Sequence, residues 1–186
     1  MEKIKINCVI GVDPGYNGGI VVYRPGEPAK AVKMPKDNTG LADFFRYYAE
    51  ISNPIVFLEK LNLRPDDVEL GPDGTPNMGK IYRLQKLMAN FEHLKAIIET
   101  SGVPYVLVHP YSWQSKLKLR VKGQKEETAE RKKRYQARAA ELYPELKVTL
   151  WNADATLIMH FGRWALVNDV NWVRANLPAR ESDKLF

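Results

Sequence analysis

The sequence predicts an α/β fold, and three observations carry that expectation: a cluster of short Val- and Ile-rich runs near the N-terminus, helical spacing of apolar residues after it, and further apolar runs that each follow a helical stretch. Residues 7–13, 18–23 and 29–34 are separated by PGYNG and RPGEP, whose Pro and Gly mark tight connections, so these runs read as an antiparallel meander. Between 39 and 51, Leu41, Phe44, Phe45 and Tyr48 recur at helical spacing, with Thr39 as the expected N-cap. PIVFLE, residues 54–59, is a second buried-strand pattern, and a strand reached through a helix favours a parallel neighbour. The polar run 60–79 holds three prolines and four acids and is too long for an ordinary connection, which makes it a candidate functional loop. A long helix is expected over 78–100, with Ile81, Leu84, Met88, Phe91 and Ile98 on one stripe and Gly102 as its stop. GVPYVLVHP then supplies a further strand and YSWQSKLKL a short basic helix, followed by helices at 126–143 and 152–166. No repeat or composition shift divides the chain, so residues 1–186 are expected to form one domain.

The composition excludes several classes. The single cysteine, Cys8, lies in an apolar run, which rules out a disulfide framework or a cysteine metal motif and points to a reducing, intracellular (cytoplasmic) setting. No signal-peptide pattern and no membrane-length apolar run is present, so no membrane partner is expected. The net charge of +6 is local: residues 113–138 carry ten Lys or Arg against three acids, and the remainder is slightly negative. Such a stripe is either a solvated helix face or the footprint of a phosphate-backbone binder. Lys116, Lys118, Lys122, Lys125 and Lys133 are its candidate DNA contacts, with Trp113 beside them as a candidate interface aromatic.

Two carboxylates close apolar strands. Asp13 ends the first run and Glu59 ends PIVFLE, which places both at the C-terminal edge where α/β sheets build their sites. Asp154 lies in an early turn of the apolar helix NADATLIMHF. An acid after a strand can simply open a turn, and one at a helix start can simply favour the helix dipole. Three acids embedded in core-like sequence repel one another unless cations neutralise them, and hard oxygen ligands suit Mg²⁺ or Mn²⁺. Along the basic helix, Thr128, Lys132, Tyr135, Ala139 and Leu142 share a stripe, so Lys132 is expected to snorkel from the buried face towards the acids while Lys133 and Arg134 point away.

The pieces GVDPGYNGGIVVY, IVFLEKL, SGVPYVLVHPYSWQSKLKL, KKRYQARAAELYP and ADATLIMHFGRWAL resemble, in order, the RuvC family of Holliday junction resolvases, RNase H-like nucleases of phage and bacterial type. The resemblance implies a mixed five-stranded sheet flanked by helices and a homodimer that nicks four-way DNA junctions with divalent metal. It also implies that Asp13 bridges two metals while Glu59 and Asp154 each bind one, and that Lys132 or Lys133 lies near the scissile phosphate. The long helix would supply much of the dimer contact, with Tyr82, Lys86 and Asn90 facing outward.

One position departs from the family pattern. A further Asp or His normally precedes the last acid by three or four residues, where this chain has Trp151 and Leu150. Asn152 could offer an amide oxygen, but N-capping is its expected role. Three functions follow: a junction endonuclease, a broader branched-DNA or flap nuclease, and a junction-binding protein with weak catalysis. A sugar-kinase-like ATPase also begins with an Asp-Gly turn after a strand, but it needs a second domain that this chain is too short to hold.

Overall fold

The computed structural model describes residues 6–15, 17–61, 70, 74–120 and 127–178. Five strands form one mixed sheet, β1 (Cys8–Val12), β2 (Gly19–Tyr23), β3 (Lys30–Lys33), β4 (Pro54–Glu59) and β5 (Tyr105–Val108), in the order β3-β2-β1-β4-β5. The first three pair antiparallel, whereas β1 with β4 and β4 with β5 pair parallel. The expected meander and the parallel strands beyond it are therefore present.

Helices cover both faces. On one face α1 (Asn38–Ile51) and α2 (Met78–Thr100) bury Leu41, Phe45, Tyr48, Phe91, Leu94 and Ile98 against Ile10, Val12, Val56 and Leu58. On the other lie α3 (Pro110–Lys116), α4 (Thr128–Leu142), α5 (Ala153–Asn168) and α6 (Val170–Asn176), packed on Val9, Val21, Phe57 and Val106. The two sets of strand residues alternate along the chain, as the two-residue period of a strand requires. No helix among the described residues is long and apolar enough to cross a membrane.

Helix α1 starts earlier than its sequence signal indicated. Asp37, not Thr39, is the N-cap, and its Oδ1 accepts the Gly40 amide at 2.7 Å. Helix α6 had no separate sequence signal. It begins where Asp169 ends α5 and accepts the Trp172 amide at 3.3 Å, one aspartate serving both helix ends.

Two glycines set how closely α5 lies on the sheet. A Cβ on Gly11 of β1 would collide with the Ala155 carbonyl and Met159 amide of α5, and a Cβ on Gly162 of α5 would collide with the Phe57 ring of β4. The helix therefore crosses β1 in backbone contact and lies with its own backbone on the Phe57 ring of β4, which brings its first turn over the end of β1.

Candidate active site

Strand register assembles the first two acids. Val12 of β1 is paired in parallel with Leu58 of β4, so Asp13 and Glu59 are the next residues of two adjacent strands. Both alternate away from Val12 and Leu58, which face α1 and α2, and so point to the face that α5 covers. The close crossing at Gly11 then brings Asp154, in the first turn of α5, to the same place.

The turn after Asp13 is built around its side chain. Its Oδ1 accepts the Gly15 amide at 3.0 Å, and the Gly18 amide donates to the Gly15 carbonyl at 2.8 Å. A Cβ at Gly18 would strike the Asp13 and Gly15 carbonyls, so this tight return into β2 requires glycine. Glu59 has a different anchor: the indole Nε1 of Trp113, in α3, donates to its Oε1 at 3.0 Å.

The electrostatics mark these acids off from others on the surface. Burial, reinforced by the charges of Asp13 and Asp154, pushes the Glu59 carboxyl up to about 8, against the opposing effects of the Trp113 hydrogen bond and Arg131. Burial and then the Asp13 charge raise Asp154 to about 6, opposed by Lys132 and Arg131. Asp13 is also raised by burial, opposed by the Gly15 amide and Lys132. Each of the three therefore holds its proton more tightly than an ordinary carboxyl, the condition that a bound cation reverses. The donors are all carboxylate oxygens, which suits Mg²⁺ or Mn²⁺ rather than soft metals. Among the described residues, however, no three His, Cys, Asp or Glu side chains form a ready-made group that could hold a metal ion.

The basic helix meets the acids differently from its sequence pattern. Only Tyr135 and Ala139 of α4 are buried, and Thr128 and Lys132 are exposed. The first two turns overhang the core, so the apolar stripe ends at Tyr135. Lys132 is thus an exposed cation whose charge reaches Asp13 and Asp154, rather than a residue of the buried face. Arg131, which the stripe did not single out, reaches Glu59 and Asp154; its signal was its position one helical turn before buried Tyr135. Arg134 does not point away, since its Nη2 donates to the Leu119 carbonyl at 2.6 Å. Lys133 is exposed.

Trp113 is a correction. It is 0% exposed and packs edge-on against Tyr135 at 5.2 Å, so it has no surface to offer DNA; its aromatic bulk fills the core while its single polar atom serves Glu59. Lys116 and Lys118 are exposed, with the Lys116 ammonium 3.5 Å over the Trp164 ring and Lys118 in the left-handed region at φ 56°. Lys122 and Lys125 lie outside the described residues, as does most of the 60–79 loop.

Asn152 also differs from expectation. It occupies the N-cap position of α5 without making a side-chain capping bond. Its Oδ1 accepts the Thr149 amide at 2.7 Å and its Nδ2 donates to the Lys147 carbonyl at 3.2 Å, so the amide pins the turn before the helix. Trp151 lies against Gly19, where an added Cβ would come within 2.7 Å of its ring, and Leu150 is 54% exposed. Both residues precede the first turn of α5, so neither stands on the helical face that carries Asp154.

Neither a family model nor a curated protein matches the sequence. Solved structures do. A Thermus thermophilus RuvC in complex with Holliday junction substrate aligns over 88% of this chain and 96% of its own, with a TM-score of 0.54 and 14% identity. A second Thermus thermophilus RuvC structure aligns over 86% and 95%, with a TM-score of 0.51 and 16% identity. The fold is RuvC-like. Within a RuvC-like fold, the mixed sheet and its flanking helices are those of the RNase H-like class, and the acids stand at the C-terminal ends of its central parallel strands.

Proposed function

We propose that this chain is a divalent-metal-dependent endonuclease that resolves four-way DNA junctions by phosphodiester hydrolysis. The observation that carries the reading is the grouping of three half-buried carboxylates, at the ends of β1 and β4 and in the first turn of α5, in which the Asp13 charge raises the proton affinity of Asp154 and both raise that of Glu59. The RuvC-like fold, shared with a RuvC in complex with a junction, supports DNA as the substrate class. Asp13, Glu59 and Asp154 would hold Mg²⁺ or Mn²⁺. Such ions activate water and stabilise the leaving oxygen of a phosphodiester. Lys132 and Arg131 would draw a backbone phosphate towards the acids, and Lys116, Lys118 and Lys133 extend the positive surface along which a DNA arm can lie. A homodimer would pair two such sites for two nicks; α2 offers its surface, with Tyr82 66% exposed and Lys86 and Asn90 beside it.

A second reading, junction binding with weak cleavage, is favoured by one observation: no fourth acid stands before Asp154, and the Asn152 amide is committed to its own turn. Labelled four-way junctions and matched duplexes, incubated with Mg²⁺, Mn²⁺ or EDTA, separate the two. The nuclease reading expects paired nicks with metal, none with EDTA, and a loss of at least about 100-fold in Asp13→Asn, Glu59→Gln and Asp154→Asn with junction binding retained. Tight junction binding without metal-dependent nicks selects the second reading, and equal affinity for junction and duplex with no cleavage overturns both.

A further inference from the structure

The conformation of Glu59 depends on a residue that lies outside the acid cluster. Strand β5 ends at Val108, and His109-Pro110 turns the chain at once into α3, with proline at the helix start where its missing N–H costs nothing. The turn carries Trp113 into the core cluster that also holds Val106, Val108, Tyr135 and Leu157. A large apolar residue suffices to fill that space. A tryptophan there brings an N–H that must find a partner once it is wholly buried. It finds Glu59 Oε1, 54 residues away in sequence, at 3.0 Å.

This bond divides the two oxygens of one carboxylate. Oε1 is committed to the indole, and the rotation that could exchange the oxygens would leave a buried donor unpaired. Oε2 is the oxygen left for the site. The indole is itself clamped edge-on by Tyr135 of α4, one helical turn beyond Arg131 and Lys132, the cations whose charges reach the acids. Trp113 therefore joins α3, α4 and β4 at the point where Glu59 leaves its strand.

We propose that Trp113 is a positioning residue that locks Glu59 through its indole N–H, so that Glu59 presents a single oxygen to a divalent cation. The proposal rests on the metal-site reading above and extends it to a residue that touches neither metal nor DNA. Residues that orient a ligand in this way are worth about 10–100-fold in metal affinity or activity when removed.

The test separates the hydrogen bond from the bulk of the ring. Trp113 is replaced by benzothienylalanine, which keeps the bicyclic shape but carries sulfur where indole has N–H, and in parallel by Phe. Thermal melting establishes folding, Mn²⁺ affinity is measured by titration calorimetry, and cleavage is followed across Mg²⁺ concentrations. The benzothienyl protein is expected to melt near the wild type while its Mn²⁺ affinity falls about tenfold and its Mg²⁺ requirement rises in step, with KM for the junction unchanged. In ¹⁵N-labelled wild-type protein, the indole resonance that disappears in Trp113→Phe should move on addition of Mg²⁺, and this response should be lost in Glu59→Gln. An analogue with wild-type Mn²⁺ affinity, or a Trp113 resonance indifferent to both Mg²⁺ and Glu59→Gln, overturns the proposal. A protein that binds Mn²⁺ through this coupling but cuts no DNA leaves the proposal standing and removes the nuclease reading instead.

Discussion

Helix α5 covers two polar clusters on the same face of the sheet, and they are built on opposite terms. Around its first turn, Asp154, Asp13 and Glu59 are three groups of one sign whose proton affinities are raised. Towards its other end, His160 and Arg163 meet Tyr143 and Tyr23. There Arg163 donates to the Tyr143 hydroxyl at 2.8 Å and lies 3.4 Å over the Tyr23 ring, while His160 Nδ1 is 3.1 Å from the same hydroxyl. Donors, acceptors and a cation with its aromatic faces are matched in the second cluster and unmatched in the first. A fold under selection for stability alone builds the second kind. The first kind persists where a ligand completes it.

The largest expected effect exploits that contrast. Asp13→Asn, Glu59→Gln or Asp154→Asn removes a like charge from the unmatched cluster, so each should abolish metal-dependent cleavage while holding or raising the melting temperature in EDTA. Arg163→Met should do the reverse: cleavage per folded molecule stays near wild type, and stability falls by about 1–3 kcal/mol because the Tyr143 hydroxyl loses its charged donor and the Tyr23 face its cation. Melting and cleavage measured on the same preparations check both arms. Acid variants that melt well below wild type would mean that the carboxylates are structural.

The two ends also respond to pH with opposite sign. Glu59 is raised from 4.5 to about 8, so its stabilising protonated form is fully present below the unfolded value and is lost as pH climbs through about 8; Asp154 is lost earlier, through about 6. At the other end, burial and then Arg163 and Arg138 lower His160 below 6.5, so its contribution is present in the neutral range and is lost as pH falls through the depressed value. Each tenfold in proton affinity corresponds to about 1.4 kcal/mol, and at this size each kcal/mol shifts melting by about 2–4 °C. Metal-free protein should therefore lose several degrees between pH 6 and 9. Glu59→Gln should flatten that fall, Mg²⁺ should restore stability most at high pH, and His160→Gln should change only the acid side. A wild-type curve that is flat from 6 to 9 would remove the repulsion from the acid end.

The acid end was legible in sequence because its parts sit on the strongest local signals. VIGVD and PIVFLE are buried apolar strands with one charge at the end of each, which placed Asp13 and Glu59 at the C-terminal sheet edge; that their side chains share a face follows only from the β1–β4 register. Asp154 was legible for the same reason, an acid at the start of an apolar helix. Trp113 was not, because a buried indole and an interface indole look alike in sequence; only the partner of Nε1, far along the chain, tells them apart. The α4 stripe misled at Lys132 because helical periodicity does not say where a helix runs past the core. Asn152 occupies a cap position, yet the preceding turn competes for its amide and wins. The Arg163 cluster had no local signal at all, since Tyr23, Tyr143 and Arg163 come from three separate elements.

The smallest expected effect tests whether the acid end is one charge short. Leu150 stands in the turn before Asp154 and is 54% exposed, so an acid there costs little burial, whereas Trp151→Asp would remove the ring that lies on Gly19. Leu150→Asp adds a carboxylate near the site without the geometry of a helical neighbour, because α5 begins only at Ala153. A carboxylate that reaches a divalent ion from a wet surface is worth about 1 kcal/mol, or about fivefold in affinity. The Mg²⁺ concentration for half-maximal cleavage should therefore drop about fivefold in Leu150→Asp, and metal-free protein should melt slightly lower than wild type because the repulsion among the acids has grown. Both changes must appear together for the new carboxylate to have joined the cluster. A lower melting temperature with an unchanged Mg²⁺ requirement would mean that the turn pinned by Asn152 directs residue 150 away from the cations, and wild-type cleavage already saturated at low Mg²⁺ would show that three carboxylates suffice.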